Sequence, residues 1–366
     1  QSNLGTSISV KGLIKSDNIF DSNLNIELTS TSSKEIFELI NNFNFLDKFS
    51  KIEFDQLKIN STLNKGLFKI DTLNVIDGES NATISGEIDI YNKNNRNLEI
   101  KLTKFNQFDL FPFPQLEEIL TSLDTNYIDL DCFLTDTNLE IVNLEIPVSG
   151  NSNLNITGDV NLKNFKETLL NIKFNGIRPF HIKTILDQTN QLRYLNYIEL
   201  INFEEIQGSI FLDLKENLTL INGIEFIQED NVIGNISGEI SNSQFKGSVN
   251  FEKININQLD KKFFKTKRIK GFINVDLVLP NFISPDSYLD IGGTINGDIE
   301  VVISDDELGL LIFMQSLSQD IEDFGQVNVL LGKLTRSFIN QLITVNGNID
   351  NKTKNKFIIK KLTLTA

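Results

Sequence analysis

Leu154-Asn155-Ile156-Thr157-Gly158-Asp159-Val160-Asn161-Leu162 places an apolar residue or glycine at every second position and a polar residue between them. A period of two is the mark of a β-strand with one face turned to an apolar surrounding and the other to water. The centre of this stretch, an apolar residue, any residue, Gly, any residue and an apolar residue, recurs along the chain. It returns as Val10-Gly12-Ile14, Ile84-Gly86-Ile88, Ile206-Gly208-Ile210, Ile236-Gly238-Ile240 and Phe245-Gly247-Val249. Further copies are Ile269-Gly271-Ile273, Ile295-Gly297-Ile299 and Val345-Gly347-Ile349.

Strand side chains alternate, so in each copy the two apolar residues and the glycine belong to one face, while residues such as Ser85 and Glu87 belong to the other. Glycine weakens a strand, and its repeated use points to a bend or to the close approach of another group. Two occupants are open for each such notch: a Phe from a neighbouring strand, or an acyl chain.

Outward from these strands, a second unit repeats: a strand, a polar turn and a short amphipathic helix. Leu24–Leu28 leads to a helix over Lys34–Asn42, whose start carries the capping box Ser32-x-x-Glu35 and whose apolar stripe is Ile36, Phe37, Leu39 and Ile40. Leu98–Phe105 leads to Pro114–Leu123, Leu169–Phe174 to Pro179–Asp187, and Gly247–Ile254 to Asn257–Phe264. Two longer helices are expected late in the chain, over Asp305–Asp323 and Val327–Leu342, the first opened by the capping box Ser304-x-x-Glu307. The expectation is a mainly β fold: a long curved antiparallel sheet or β-groove of repeated strands, with several short amphipathic helices and two longer ones near the C-terminus. No Pro-, Gly- or Ser-rich linker interrupts it, so residues 1–366 read as one continuous repetitive domain, softly divisible into 1–150, 151–290 and 291–366.

The 366 residues carry a formal charge of -15 at a pI near 4.7, which opposes binding to nucleic acid or to an anionic bilayer. Lys261–Lys270 is a local basic exception that reads as a solvated strand end or helix face. The single cysteine, Cys132, excludes an intrachain disulfide. The longest apolar stretch, Leu308–Met314, is far short of the roughly 20 residues that span a bilayer. Because the chain opens on Gln1, it is expected to be part of something longer.

Chemistry-bearing residues are sparse. His181 is the only imidazole, so a histidine metal cluster is excluded and any Ser-His-Asp triad would rest on it alone; it reads as a satisfied helix-start residue. Cys132 has no basic neighbour in sequence and reads as buried filler. Asp129-x-Asp131, which would share a strand face, and Glu204-Glu205 read as solvated surface. No glycine-rich phosphate loop is present, since the glycines lie inside strands. Catalytic residues, metal ligands and cofactors are therefore all expected to be absent.

The C-terminal part resembles a known family. Gly293-Thr294-Ile295-Asn296-Gly297-Asp298-Ile299-Glu300-Val301, the turn into a helix at Asp305–Leu310, Thr335-Arg336-Ser337-Phe338, Ile343-Thr344-Val345-Asn346-Gly347-Asn348-Ile349 and the closing Leu362-Thr363-Leu364 are similar to motifs of the AsmA-like proteins of Gram-negative envelopes. These are related in architecture to TamB and to bridge-like lipid-transfer proteins. Upstream, Val249–Leu259 looks like that family's strand, turn and helix unit. The resemblance implies a periplasmic body tethered to the inner membrane through a missing N-terminal segment, envelope proteins among its partners, and a curved sheet serving phospholipid transport or envelope homeostasis.

The expected ligand is a phospholipid or another acyl-chain lipid. The expected lining is Ile84, Gly86, Ile88, Ile156, Gly158, Val160, Ile236, Gly238, Ile240, Ile295, Gly297, Ile299, Val345, Gly347 and Ile349. The other reading open at this point is a structural or interaction scaffold with a sealed core.

Overall fold

A computed structural model describes residues 5–31, 33–40, 54–92, 95–106, 120, 123–188, 201–242, 244–255, 269–282, 289–301, 342–351 and 359–365. The described residues form a mainly β protein of eighteen strands. The chain divides into two compact units, Gln1–Thr189 with Ser209–Thr219, and Asn190–Gly208 with Leu220–Ala366.

In the first unit the strands are β1 (Thr6–Leu13), β2 (Asn23–Ser30), β3 (Gln56–Asn64), β4 (Leu67–Asp77), β5 (Ser80–Asp89), β6 (Arg96–Phe105), β7 (Ile128–Thr135), β8 (Asn138–Val148), β9 (Ser152–Asn161) and β10 (Leu169–Ile177). Each pairs antiparallel with the next. The register sorts the side chains by chemistry. Ile8, Leu28, Ile59, Leu73, Ile84, Ile100, Cys132 and Ile141 stand opposite one another in a row across β1 to β8. Leu102, Leu130, Leu144, Ile156 and Ile172 make a second row across β6 to β10.

The opposite face is polar and laced by side-chain pairs, most of them cross-strand. Ser7 and Thr29 hydroxyls meet at 2.8 Å, Ser85 Oγ donates to Glu99 at 3.3 Å, and Lys101 Nζ lies 2.6 Å from Glu99 and 3.8 Å from Asp131. These ion pairs are exposed, and such pairs contribute little to stability.

A larger period underlies the meander. Four strands, β2, β6, β10 and β14 (Gln244–Asn255), begin at Asn23, Arg96, Leu169 and Gln244, spacings of 73, 73 and 75 residues. Each of the first three opens a module: one strand, a long connection, then three strands, of which the last carries the glycine pattern. The second strand of the closing hairpin is β5, β9 and, in the third module, β13 (Asn231–Ser241), reached through β11 (Glu205–Asp213) and β12 (Leu218–Gln228). β11 and β12 contribute to both units.

The turns β3–β4, β5–β6 and β7–β8 lie at one end of the first unit's sheet, while its long connections all leave from the other, where the short turns β4–β5 and β8–β9 also lie. Two of the expected helices are present there, α1 (Ser33–Ile40) and α2 (Pro179–Gln188), while Leu120 is a single described helical residue within the third. Buried side chains gather at this end: Ile36, Leu120, Leu123, Ile128, Ile146, Val148, Ile177 and His181. The helices expected over Asn257–Phe264, Asp305–Asp323 and Val327–Leu342, and the basic run before Ile269, fall outside the described residues.

In the second unit β13, β14, β15 (Ile269–Phe282), β16 (Leu289–Val301), β17 (Leu342–Asn351) and β18 (Ile359–Thr365) continue the antiparallel pattern. Ile236, Val249, Leu277 and Gly293 align in one row, and Val275, Ile295, Gly347 and Leu362 in another. Phe226 stands edge-on between Phe203 and Phe251, with ring centroids 5.2 and 4.9 Å away. Such aromatic pairs favour edge-to-face packing.

Candidate functional site

The apolar face of the first unit is the most extensive feature that ten strands hold in common. Register places Ile84, Gly86 and Ile88 of β5 and Ile156, Gly158 and Val160 of β9 on it. In the second unit Ile236, Gly238 and Ile240 lie on β13, while Ile295, Gly297 and Ile299 of β16 pair with Gly347, Val345 and Ile343 of β17. Ile349 of β17 pairs with Gly293.

The exposure of this face is informative. Ile26, Leu28, Ile59, Leu73, Ile84, Ile100, Leu144, Ile156 and Ile172 are half-buried, and so are Thr83, Ser85 and Thr157 on the polar side. A second layer packed on the sheet would take its apolar side chains out of water and leave the polar ones wet. Here Asn25, Glu27, Thr29, Lys58, Lys69, Lys101 and Lys173 of the polar side are exposed, so the apolar face is the more shielded of the two, yet most of its side chains keep some contact with water. Among the apolar residues of this unit, full burial away from the helical end is found at Leu24, Leu57, Leu63, Ile70 and Cys132 along the strands.

The glycines have a role different from either occupant expected for them. Gly86 and Gly158 adopt φ of 129° and 138°, a region that side-chain-bearing residues enter only under strain. A Cβ on Gly86 would collide with the backbone oxygen of Asn97, and one on Gly158 with that of Leu169. The missing side chain would therefore point into the adjoining strand rather than onto the face. These glycines are bends where two backbones close up, and neither a Phe nor an acyl chain fills them. A Phe does cover a glycine at Gly234, against Phe251, outside the repeated pattern, and within the pattern the Phe245 ring lies beside Gly247 together with the backbone of Ser237 and Gly238.

Each bend faces an extra residue. Ile70 and Leu73 of β4 stand opposite Gly86 and Ile84, and Ile141 and Leu144 of β8 stand opposite Gly158 and Ile156, so two residues of one strand oppose one of the other. These are β-bulges, which bend a strand and increase its twist. Sequence reasoning missed them, although the signal is present: the spacing Ile70-x-x-Leu73 and Ile141-x-x-Leu144 breaks the period of two by one residue.

His181 is fully buried at the start of α2. Its Nδ1 accepts from the backbone N–H of Arg178 at 3.2 Å, and its Nε2 lies 3.2 Å from Ser149 Oγ. With Nδ1 accepting, Nε2 carries the proton and donates to Ser149. A serine nucleophile needs the reverse tautomer, in which Nε2 accepts from the hydroxyl. His181 instead does what Glu or Gln does in a capping box, satisfying the N–H of the residue before the helix. Burial, and then the charge of Arg178, hold its pKa below the usual imidazole value.

Cys132 is also buried, on the apolar face, and burial followed by the Asp131 charge pushes its thiol up to about 11. Asp129 accepts from the backbone N–H of Lys104 at 2.7 Å while Asp131 faces Lys101, so the two carboxylates are engaged separately. Glu204 accepts from the Glu229 backbone N–H at 3.3 Å.

A shallow groove of about 470 Å³ lies over β12 to β15 in the second unit. Ser237 and Ser248 bridge its floor at 2.9 Å, and Glu239 and Lys246 pair beside them at 3.8 Å. Leu220, Val278 and Leu279 line it as well, so the groove is of mixed character. Among the described residues no cluster of His, Cys, Asp and Glu is placed to hold a metal, and no helix is long and apolar enough to cross a membrane. Comparison of the chain with family models, curated proteins and solved structures finds no match.

Proposed function

We propose that the chain shields acyl chains of phospholipids or similar lipids along the apolar face of its sheets, as a non-enzymatic carrier in traffic between membranes. One observation carries this reading: across ten strands of the first unit the apolar side chains share one face, and Ile26, Leu28, Ile59, Leu73, Ile84, Ile100, Leu144, Ile156 and Ile172 on it are only partly buried. Contiguous exposed apolar surface is characteristic of a site that binds something apolar. Each methylene moved from water to such a face gains about 0.8 kcal/mol, so affinity scales with acyl length and tolerates different head groups. The engaged tautomer of His181, the raised thiol of Cys132 and the separated Asp129 and Asp131 are in keeping with binding rather than catalysis. A periplasmic location and an inner-membrane tether belong to the same proposal and rest on the resemblance alone.

Native mass spectrometry of the purified chain with co-extracted lipid tests the reading. Bound lipid is expected on the parent chain and lost from a variant carrying Ile84→Asp and Ile156→Asp. It is retained by the polar-face control Thr83→Asp with Thr157→Asp, circular dichroism verifying the strand content of both. Recovery of protein mass alone from the parent, under conditions that keep a control lipid carrier loaded, refutes it.

A further inference from the structure

Arg96 is the one cation among the paired positions of the apolar face of the first unit. Alternation within each strand and the register between strands set two charged side chains at such positions in β1 to β10. Asp77 lies at the end where the long connections leave, and Arg96 stands opposite Ile88 at the other. Arg96 is half-buried, its Nε–H is buried without a hydrogen-bond partner, and among the described residues no carboxylate forms an ion pair with it. Asp136, beside it, accepts instead from the backbone N–H of Arg96, at 3.0 Å. Burying a charged donor without a partner is costly, and such a group in a folded protein calls for a reason. An arginine that merely rested its stem on apolar surface would hold its guanidinium in water.

The fold does not supply that reason. Leu98, opposite Gly86, has its counterparts in Leu24, opposite Gly12, and Leu170, opposite Gly158. Two residues before these counterparts, in the place of Arg96, come Ser22 and Thr168, both buried. The same junction of a bent strand with an opening strand therefore forms around a small hydroxyl, and the guanidinium is an addition to it.

We propose that Arg96 holds the anionic group, phosphate or carboxylate, of a lipid lying on this face, an inference that rests on the reading of the face as a lipid surface. A guanidinium presents a planar fork of N–H donors that matches both anions, and charge-assisted bonds of this kind are about twice as strong as neutral ones. Arg96 opens β6, next to the exposed Asn95, so the head group stays at the wet end of the strands. The acyl chain leaves over Leu98 and Ile88, the half-buried neighbours of Arg96 on the face, toward Ile100 and Ile84. Phosphate is common to phospholipids, so such an anchor leaves the remainder of the head group free to vary.

Titration calorimetry of the full chain with dodecyl phosphate below its micelle concentration is the test, with dodecanol as the uncharged counterpart and inorganic phosphate as the free anion. The parent chain is expected to bind dodecyl phosphate about tenfold or more tightly than dodecanol. Arg96→Thr, which restores the hydroxyl found at Thr168, is expected to weaken dodecyl phosphate by about tenfold or more and to leave dodecanol as before. Arg96→Lys is expected to recover part of the loss, keeping the charge without the fork. Inorganic phosphate at millimolar concentration is expected not to compete. Equal affinity of the parent and Arg96→Thr for dodecyl phosphate overturns the assignment while dodecanol binding keeps the lipid reading. An equal loss of dodecanol in Arg96→Thr also overturns it, by making the role structural, as does displacement by inorganic phosphate, which would make this a free-anion site. Binding of neither amphiphile to the parent overturns the lipid reading along with it.

Discussion

His181 is the one imidazole of the chain, and its hydrogen bonds fix its charge. Its folded pKa lies below that of the free side chain, so the unfolded chain binds the proton more readily. The corresponding stability is complete above about pH 6.5 and declines as the pH falls from there toward the folded pKa. The urea midpoint is therefore expected to drop between about pH 7.5 and about pH 5.5, where no other side chain of ordinary pKa titrates, and His181→Gln is expected to flatten the dependence while keeping the cap. An unchanged slope in the variant would remove His181 from the account. Cys132 offers a second residue-level reading. With its thiol raised to about 11 and buried, a disulfide-exchange reagent at about pH 8 is expected to label it only at the rate at which the sheet opens.

Between residues and the molecule stands the hairpin of a bulged strand and a bent one. Gly158→Ala places a side chain against the Leu169 carbonyl in a strained conformation, for an expected loss on the order of 3 kcal/mol in urea unfolding, against about 0.5 kcal/mol or less for Thr157→Ala on the polar face. Bulge and bend should be coupled. Deletion of Val142 leaves Ile141, Asn143 and Leu144 in simple alternation, and in that background Gly158→Ala is expected to cost at least about 1 kcal/mol less. Strict additivity would mean that the two are unrelated. Much of this element was legible in the sequence, because alternation is local: Ile84, Gly86 and Ile88 declare their strand and their face without reference to any partner. The purpose of Gly86 was not legible, since only pairing at long range brings the Asn97 carbonyl against it. The starts of α1 and α2 were readable from Glu35 and Pro179. His181 as a capping acceptor was not, because Glu or Gln ordinarily takes that position.

For the chain as a whole, the lipid reading proposed above has the charge of -15 and the apolar face act on different steps. Acyl contact is insensitive to salt, whereas approach to an anionic membrane is opposed by the protein's own field, which falls off over about 10 Å at 0.1 M salt. Transfer of a labelled phospholipid out of anionic vesicles is accordingly expected to be slower than out of neutral ones at low ionic strength, with the gap closing as salt is added. A gap that persists in high salt would assign the difference to head-group recognition. The spacing of 73 residues between opening strands has a consequence of its own. The seam from β5 to β6 and that from β9 to β10 are of one kind, a bent strand handing over to an opening strand, so a tandem duplication or loss of one segment recreates a junction the protein already possesses. Each such event within the first unit would alter the width of its sheet by four strands, about 19 Å at the usual interstrand distance, with the junctions on either side of a kind already present. Gene copying, rather than the invention of new contacts, would then be the means by which such a sheet gains or loses width.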